Sequence, residues 1–152
     1  MEEILNSPEF QAILPYAPYI FLAFVIRLVL LILFCMMADS TLQLIKEENR
    51  CLARGQVWFL LLPFFNIYWN FMVVRRLTDS LNNEFYDRKQ AVEENPTQKM
   101  GFFFAGTFLV YNFPLPMFIG FVLFILNMVA LFLYFLKVKE HRELLRNGVE
   151  EG

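Results

Sequence analysis

The chain has 152 residues, room for one domain, and is 58% hydrophobic, 18% aromatic and 18% charged, with a mean hydropathy of +0.47. A soluble domain averages about 45–50% apolar and about 25% charged residues, and nineteen phenylalanines exceed what a water-soluble core of this size can bury. A net charge of −2 carries no polyanion-binding signature, so no nucleic-acid partner is expected.

Residues 1–15 are weakly amphipathic and carry acids but no Lys or Arg, which excludes a signal peptide with a basic n-region. Ser7, Pro8 and Glu9 have the chemistry of a helix start, and Pro15 limits that helix to about two turns. Ile4, Leu5, Phe10, Ile13 and Leu14 would lie in a membrane interface. The first spanning candidate is 16–38, whose 23 residues reach across a core of about 30 Å at about 1.5 Å per residue. Arg27 is the only charge in it.

The stretch 39–55 is polar and reads as a loop. Leu42, Leu44, Ile45 and Leu52 give it a broken apolar stripe, and Gly55 suits a helix stop. Of the two cysteines, Cys35 lies in an apolar run and Cys51 in this polar one, so no disulfide is expected.

The second spanning candidate, 57–74, has 18 uncharged residues, about 27 Å as a helix. Pro63 is expected to kink it. Around and beyond Arg75 and Arg76, the apolar positions Val73, Leu77, Leu81 and Phe85 recur every fourth residue. That spacing predicts one helix continuing from the membrane into the cytoplasm, with a stripe facing another element. Residues 75–99 then lead through a charged connector broken at Pro96.

Residues 100–136 hold no charge and, at about 55 Å as one helix, must turn. Pro114 and Pro116 place the turn after Asn112. The first half, 100–113, is short: it either borrows Thr97–Lys99 to cross or is re-entrant. The second half, 117–136, is a full span. The tail 137–152 continues as a helix to about Arg146, with Asn147 and Gly148 as its stop.

These elements predict an all-α integral membrane helical bundle of four transmembrane helices with both termini on one side. That side carries Arg75, Arg76, Arg88, Lys89, Lys99, Lys137, Lys139, Arg142 and Arg146, against Lys46, Arg50 and Arg54 on the other. Nine basic residues against three point to cytoplasmic termini.

Arg27 is the sharpest clue. A charge at mid-bilayer costs at least about 2.5–3.5 kcal/mol, so it is expected to face protein or water. No acid lies in any span. Its candidate partners are Asn66, Asn70, Asn112, Asn127 and Tyr68, or a lipid phosphate reached by snorkelling. The asparagines otherwise serve as interhelical hydrogen bonds of about 0.6 kcal/mol each.

His141 is the only histidine, which argues against a bis-histidine haem or a zinc site, and the paired acids lie in polar segments. No GxSxG, Walker or HExxH motif occurs. No catalytic residue, cofactor or metal is expected. The composition favours a non-enzymatic scaffold or accessory subunit, partnered by the lipid bilayer and by other membrane subunits or further copies of itself. A small oligomeric transporter or channel, and a membrane sensor or regulatory module, are the alternatives.

One segment resembles a group of uncharacterised small bacterial multi-span membrane proteins. The matching positions are Glu48, Asn49 and Arg50, then Val57, Trp58, Pro63, Phe65, Asn66, Trp69 and Phe71, then Asp79, Ser80, Leu81, Glu84 and Phe85. Leu62 stands where that pattern has isoleucine. The resemblance covers about a quarter of the chain. It implies a helical bundle in a bacterial inner membrane and brings no activity or functional residues with it.

Overall fold

The computed structural model describes Pro8, Gln11 and residues 14–150. Among these residues the secondary structure is all helical. After a 3-10 turn at Leu14–Tyr16 come α1 (Ala17–Leu44), a 3-10 turn at Glu47–Asn49, a 3-10 helix at Arg54–Leu61, α2 (Phe65–Asp87), α3 (Gln98–Tyr111) and α4 (Met117–Glu150). The helix start expected at Ser7 lies outside the described residues.

Two stretches, Leu14–Leu44 and Met117–Gly148, are long and apolar enough to cross a membrane. Only 17% and 22% of their most apolar windows are buried within the protein, unlike the core helix of a soluble domain. The two helices run parallel, with contacts at three levels. Arg27 reaches Asn127, Phe34 packs on Tyr134 with ring centroids 4.8 Å apart, and the carbonyls of Leu44 and Leu145 share one side-chain donor. α3 runs in the opposite sense. Gly101 lies against Tyr134 and Val74, Thr107 meets Asn127, and Tyr111 meets Phe124.

The stretch 57–74 is not one spanning helix. A continuous α-helix would separate residues 56 and 69 by about 20 Å, yet the Trp69 indole N–H donates to the Gln56 carbonyl at 2.8 Å. The chain instead forms a hairpin. The Cys51 amide donates to Ser80 Oγ at 2.8 Å, and the ring centroids of Phe59 and Trp69 lie 5.7 Å apart. Pro63 explains the reversal, because it lacks an amide donor and disfavours α geometry at Leu62. Leu62 is extended, Phe64 takes a left-handed φ of 62°, and α2 starts afresh at Phe65. The eight 3-10 residues cover about 16 Å at about 2.0 Å each, roughly half of a bilayer core.

The fold departs from the sequence expectations at several further points. Residues 39–44 extend α1 rather than belonging to a loop, and Leu42, Ile45 and Leu52 of the broken stripe are core residues. Gly55 sits inside the 3-10 helix and stops nothing. The described chain also starts at one end of the bundle and finishes at the other, which does not fit four spans with both ends on one side.

Other expectations agree with the fold. α2 continues unbroken through Arg75 and Arg76 to Asp87, with Val73, Leu77, Leu81 and Phe85 all buried. α3 takes in Gln98 and Lys99, and the turn falls at 112–116. α4, however, runs past Asn147 and Gly148 to Glu150, so the expected stop is absent. A Cβ on Gly148 would collide with the Gln90 side chain. Those atoms are the far end of a flexible side chain that can move aside.

The core is built from Phe34, Phe104 and Tyr134 at mid-height and from Leu42, Leu77, Leu81, Phe85 and Leu145 towards one end. Every Lys and Arg except Arg27 belongs to the segments of that end, which we call the charged end.

Candidate functional site

Two polar clusters stand out, one in the apolar half and one at the charged end. The first is built on Arg27. Its Nη2 donates to Asn127 Oδ1 at 3.3 Å, and its guanidinium lies 4.8 Å from the Phe108 ring centroid and 6.0 Å from that of Tyr111. Asn127 is fully buried and donates to the Phe104 carbonyl at 3.1 Å and to Thr107 Oγ1 at 3.0 Å. One asparagine thus joins α1, α3 and α4. Arg27 Nε is buried with no acceptor. A cation over an aromatic face gains about 0.5–2 kcal/mol, more when desolvated, but no carboxylate pairs with this one among the described residues.

Of the asparagines singled out by sequence, only Asn127 meets Arg27. The Asn112 side-chain amide donates back to the Phe108 carbonyl at 2.7 Å and closes the last turn of α3. Asn66 and Asn70 belong to the hairpin. Asn70 is buried with its Oδ1 unpaired, and Asn66 is half-buried. Arg27, Asn66, Asn70, Asn112 and Asn127 therefore do not form one site.

An apolar groove of about 300 Å³ opens beside the Arg27 cluster, between α1 and α4. Ile20, Phe24, Tyr111, Gly120, Phe121 and Phe124 line it.

Sequence reasoning does not find the second cluster. Glu84 is fully buried and accepts from the Lys46 amide and from Asn49 Nδ2, each at 2.9 Å. Arg88, one turn later, pairs with it at 2.7 Å. The same guanidinium donates to the Leu44 carbonyl at 2.8 Å and to the Leu145 carbonyl at 2.7 Å. Leu44 is the last residue of α1, so Arg88 satisfies a helix-end carbonyl while holding α4. Burial pushes the Glu84 carboxyl up, but the bonds from Asn49, Lys46 and Arg88 outweigh it and hold it below its ordinary value. The only signal in the sequence is the i,i+4 spacing of Glu84 and Arg88.

His141, also buried, packs edge-on against Phe85 with its Nδ1 2.8 Å from the Lys137 carbonyl. Its Nε2 lies 3.9 Å from Glu93. Among the described residues no group of three or more His, Cys, Asp or Glu is placed to hold a metal ion.

These features define an all-helical protein with two helices able to cross a membrane, a tied charged end and one cation held by Asn127 against aromatic rings, with no carboxylate partner among the described residues. No protein family, curated protein or solved structure matches the chain.

Proposed function

We propose that this is a non-enzymatic integral membrane protein, a scaffold or accessory subunit of an assembly in a bacterial inner membrane. Three helices cross the bilayer, α1, α3 and α4, and the 54–74 hairpin re-enters from the charged side. That side faces the cytoplasm.

One observation carries this reading. The apolar halves of α1 and α4 expose large side chains such as Phe21, Phe24, Phe118 and Phe121, while all Lys and Arg but Arg27 gather at the other end. Residues 1–20 and 112–117 contain no Lys or Arg. The basic-residue asymmetry is therefore sharper than in a four-span arrangement, and it favours a cytoplasmic charged end. Irregular backbone is tolerated at membrane depth only where protein covers it. The Cys35 thiol, 3.7 Å from the Val57 carbonyl, supplies such cover from α1.

The tied charged end supports the scaffold role, since α1, α2 and α4 are held as one platform by Arg88. A transport path through Arg27 is less favoured, because the guanidinium packs on Phe108 and bonds Asn127.

Labelling with a membrane-impermeant maleimide in spheroplasts tests the arrangement. In a Cys35→Ala background, native Cys51 should react only after lysis. With Cys51→Ser added, Asn95→Cys should also need lysis, whereas Phe113→Cys should react in intact spheroplasts. Four spans would put residues 51 and 95 on opposite sides, so opposite reactivity at these two positions would overturn the hairpin arrangement. Copurification of a second membrane protein in mild detergent tests the scaffold role, and a monomer without companions would count against it.

A further inference from the structure

Arg27 lies thirteen residues after Leu14 and twelve before Asp39, about 18–20 Å along the helix from each. In a bilayer it is a mid-depth cation, and protein alone does not neutralise it. Asn127 Oδ1 is its one hydrogen-bond acceptor among the described residues, at 3.3 Å, and Nε has none. A guanidinium presents five donors in a fixed fork that matches a carboxylate. A cation so poorly paired at that depth is costly unless something completes it.

Arg27 does not itself line the groove between α1 and α4, but Ala23 and Phe24, one turn before it, do. Helical side chains lean towards the N-terminus of their helix, the direction of these two residues. Tyr111 belongs to both features: it lines the groove, and its ring centroid is 6.0 Å from the Arg27 guanidinium. The wall is otherwise aromatic and aliphatic. At about 300 Å³ the groove is at the lower limit of ligand pockets, enough for part of a chain. A Cβ on Gly120 would meet nothing within 4 Å, so this wall opens into free space.

We propose that the groove holds a long-chain fatty acid, its carboxylate on Arg27 and its chain between α1 and α4. Charge complementarity selects an acid. Depth selects the smallest one, since a bulky phospholipid headgroup would have to shed more hydration to reach mid-bilayer, whereas a carboxylate exchanges its water for charge-assisted bonds from the guanidinium's terminal nitrogens. The inference rests on the membrane reading, but its test uses detergent-solubilised protein and does not depend on topology. A wrong topology and an absent ligand site therefore give separate results.

Binding of oleate to the full chain in a neutral detergent is measured against oleyl alcohol, phosphatidylglycerol and inorganic phosphate. The wild type should bind oleate saturably and at least about tenfold more tightly than the alcohol, the range expected for a charge-assisted hydrogen bond. Arg27→Gln should erase that preference, and Arg27→Lys should retain part of it. Gly120→Leu, which fills the groove without touching Arg27, should weaken oleate binding while leaving the unfolding temperature unchanged. Equal binding of acid and alcohol by the wild type overturns the proposal. So does tighter binding of phosphatidylglycerol or phosphate than of oleate. If Arg27→Gln does not fold, Gly120→Leu decides: undiminished oleate affinity in that variant also overturns it.

Discussion

Arg88→Ala should loosen the whole charged end, because one guanidinium serves three segments. The substitution removes the pairing with Glu84 at 2.7 Å and the bonds to the carbonyls of Leu44 and Leu145. It also leaves a carboxylate with no exposed surface without its cation. Breaking a buried ion pair from one side costs about 3–5 kcal/mol. The remaining bonds from Asn49 and the Lys46 amide put the expected loss near the lower value, about 3 kcal/mol. For a soluble domain of this length, that corresponds to a fall of about 6–12 °C in Tm. Thermal unfolding in a neutral detergent measures it. The control is Glu84→Gln combined with Arg88→Met, which removes both charges. It should recover part of the loss, since replacing both partners costs less than stranding one. An Arg88→Ala protein within about 0.5 kcal/mol of the wild type, the scale of ordinary surface substitutions, would refute the reasoning. A double variant as unstable as the sum of the singles would do the same.

Glu84 should also make the protein acid-sensitive. Its folded carboxyl is held below the unfolded value of about 4.3, so its contribution is complete above that pH and is lost as pH falls through the folded value. Glu84→Gln should therefore lose less stability than the wild type on going from neutral to acid pH in the same unfolding assay; equal losses would contradict the assignment. Gly101→Ala should cost about 1–3 kcal/mol, because its Cβ would come within 2.6 Å of a Val74 methyl in the packed core. At Gly106 a Cβ meets nothing within 4 Å. Gly106→Ala should gain about 0.4–1 kcal/mol, so Tm shifts of opposite sign are expected from two glycines in one helix. Asn127→Leu removes three interhelical bonds worth about 0.6 kcal/mol each. It should lower stability by about 1–2 kcal/mol in detergent unfolding, and no change would show that Asn127 does not link α1, α3 and α4.

Sequence spacing reveals local features and conceals long-range ones. Arg27 is conspicuous because a single charge interrupts an apolar run, and the buried stripe from Val73 to Phe85 follows from i+4 spacing. The 112–116 turn is legible because two prolines so close cannot continue a helix. Pro63 is a different case. A lone proline in an apolar run is compatible with a kink or with a reversal, and only the Trp69–Gln56 and Cys51–Ser80 bonds select the reversal. The Glu84 cluster is hidden for a related reason. Asn49, Glu84 and Arg88 look like solvated polar-segment residues one by one, and their burial arises only when α1, α2 and α4 close together. Asn127 stands among four asparagines of equal promise, since chain spacing does not reveal which helix will lie beside Arg27.

The turn at Pro63 gives the molecule unequal girth. Among the described residues, five chain segments, counting both arms of the hairpin, pass through its charged-side half, and three pass through the other. Enclosed in a bilayer as proposed, such a tapered body displaces more lipid from one leaflet than from its opposite. Crowded together, these wedges would relieve the mismatch by settling where the sheet bows outward on the cytoplasmic face, so shape alone would bias where the protein gathers.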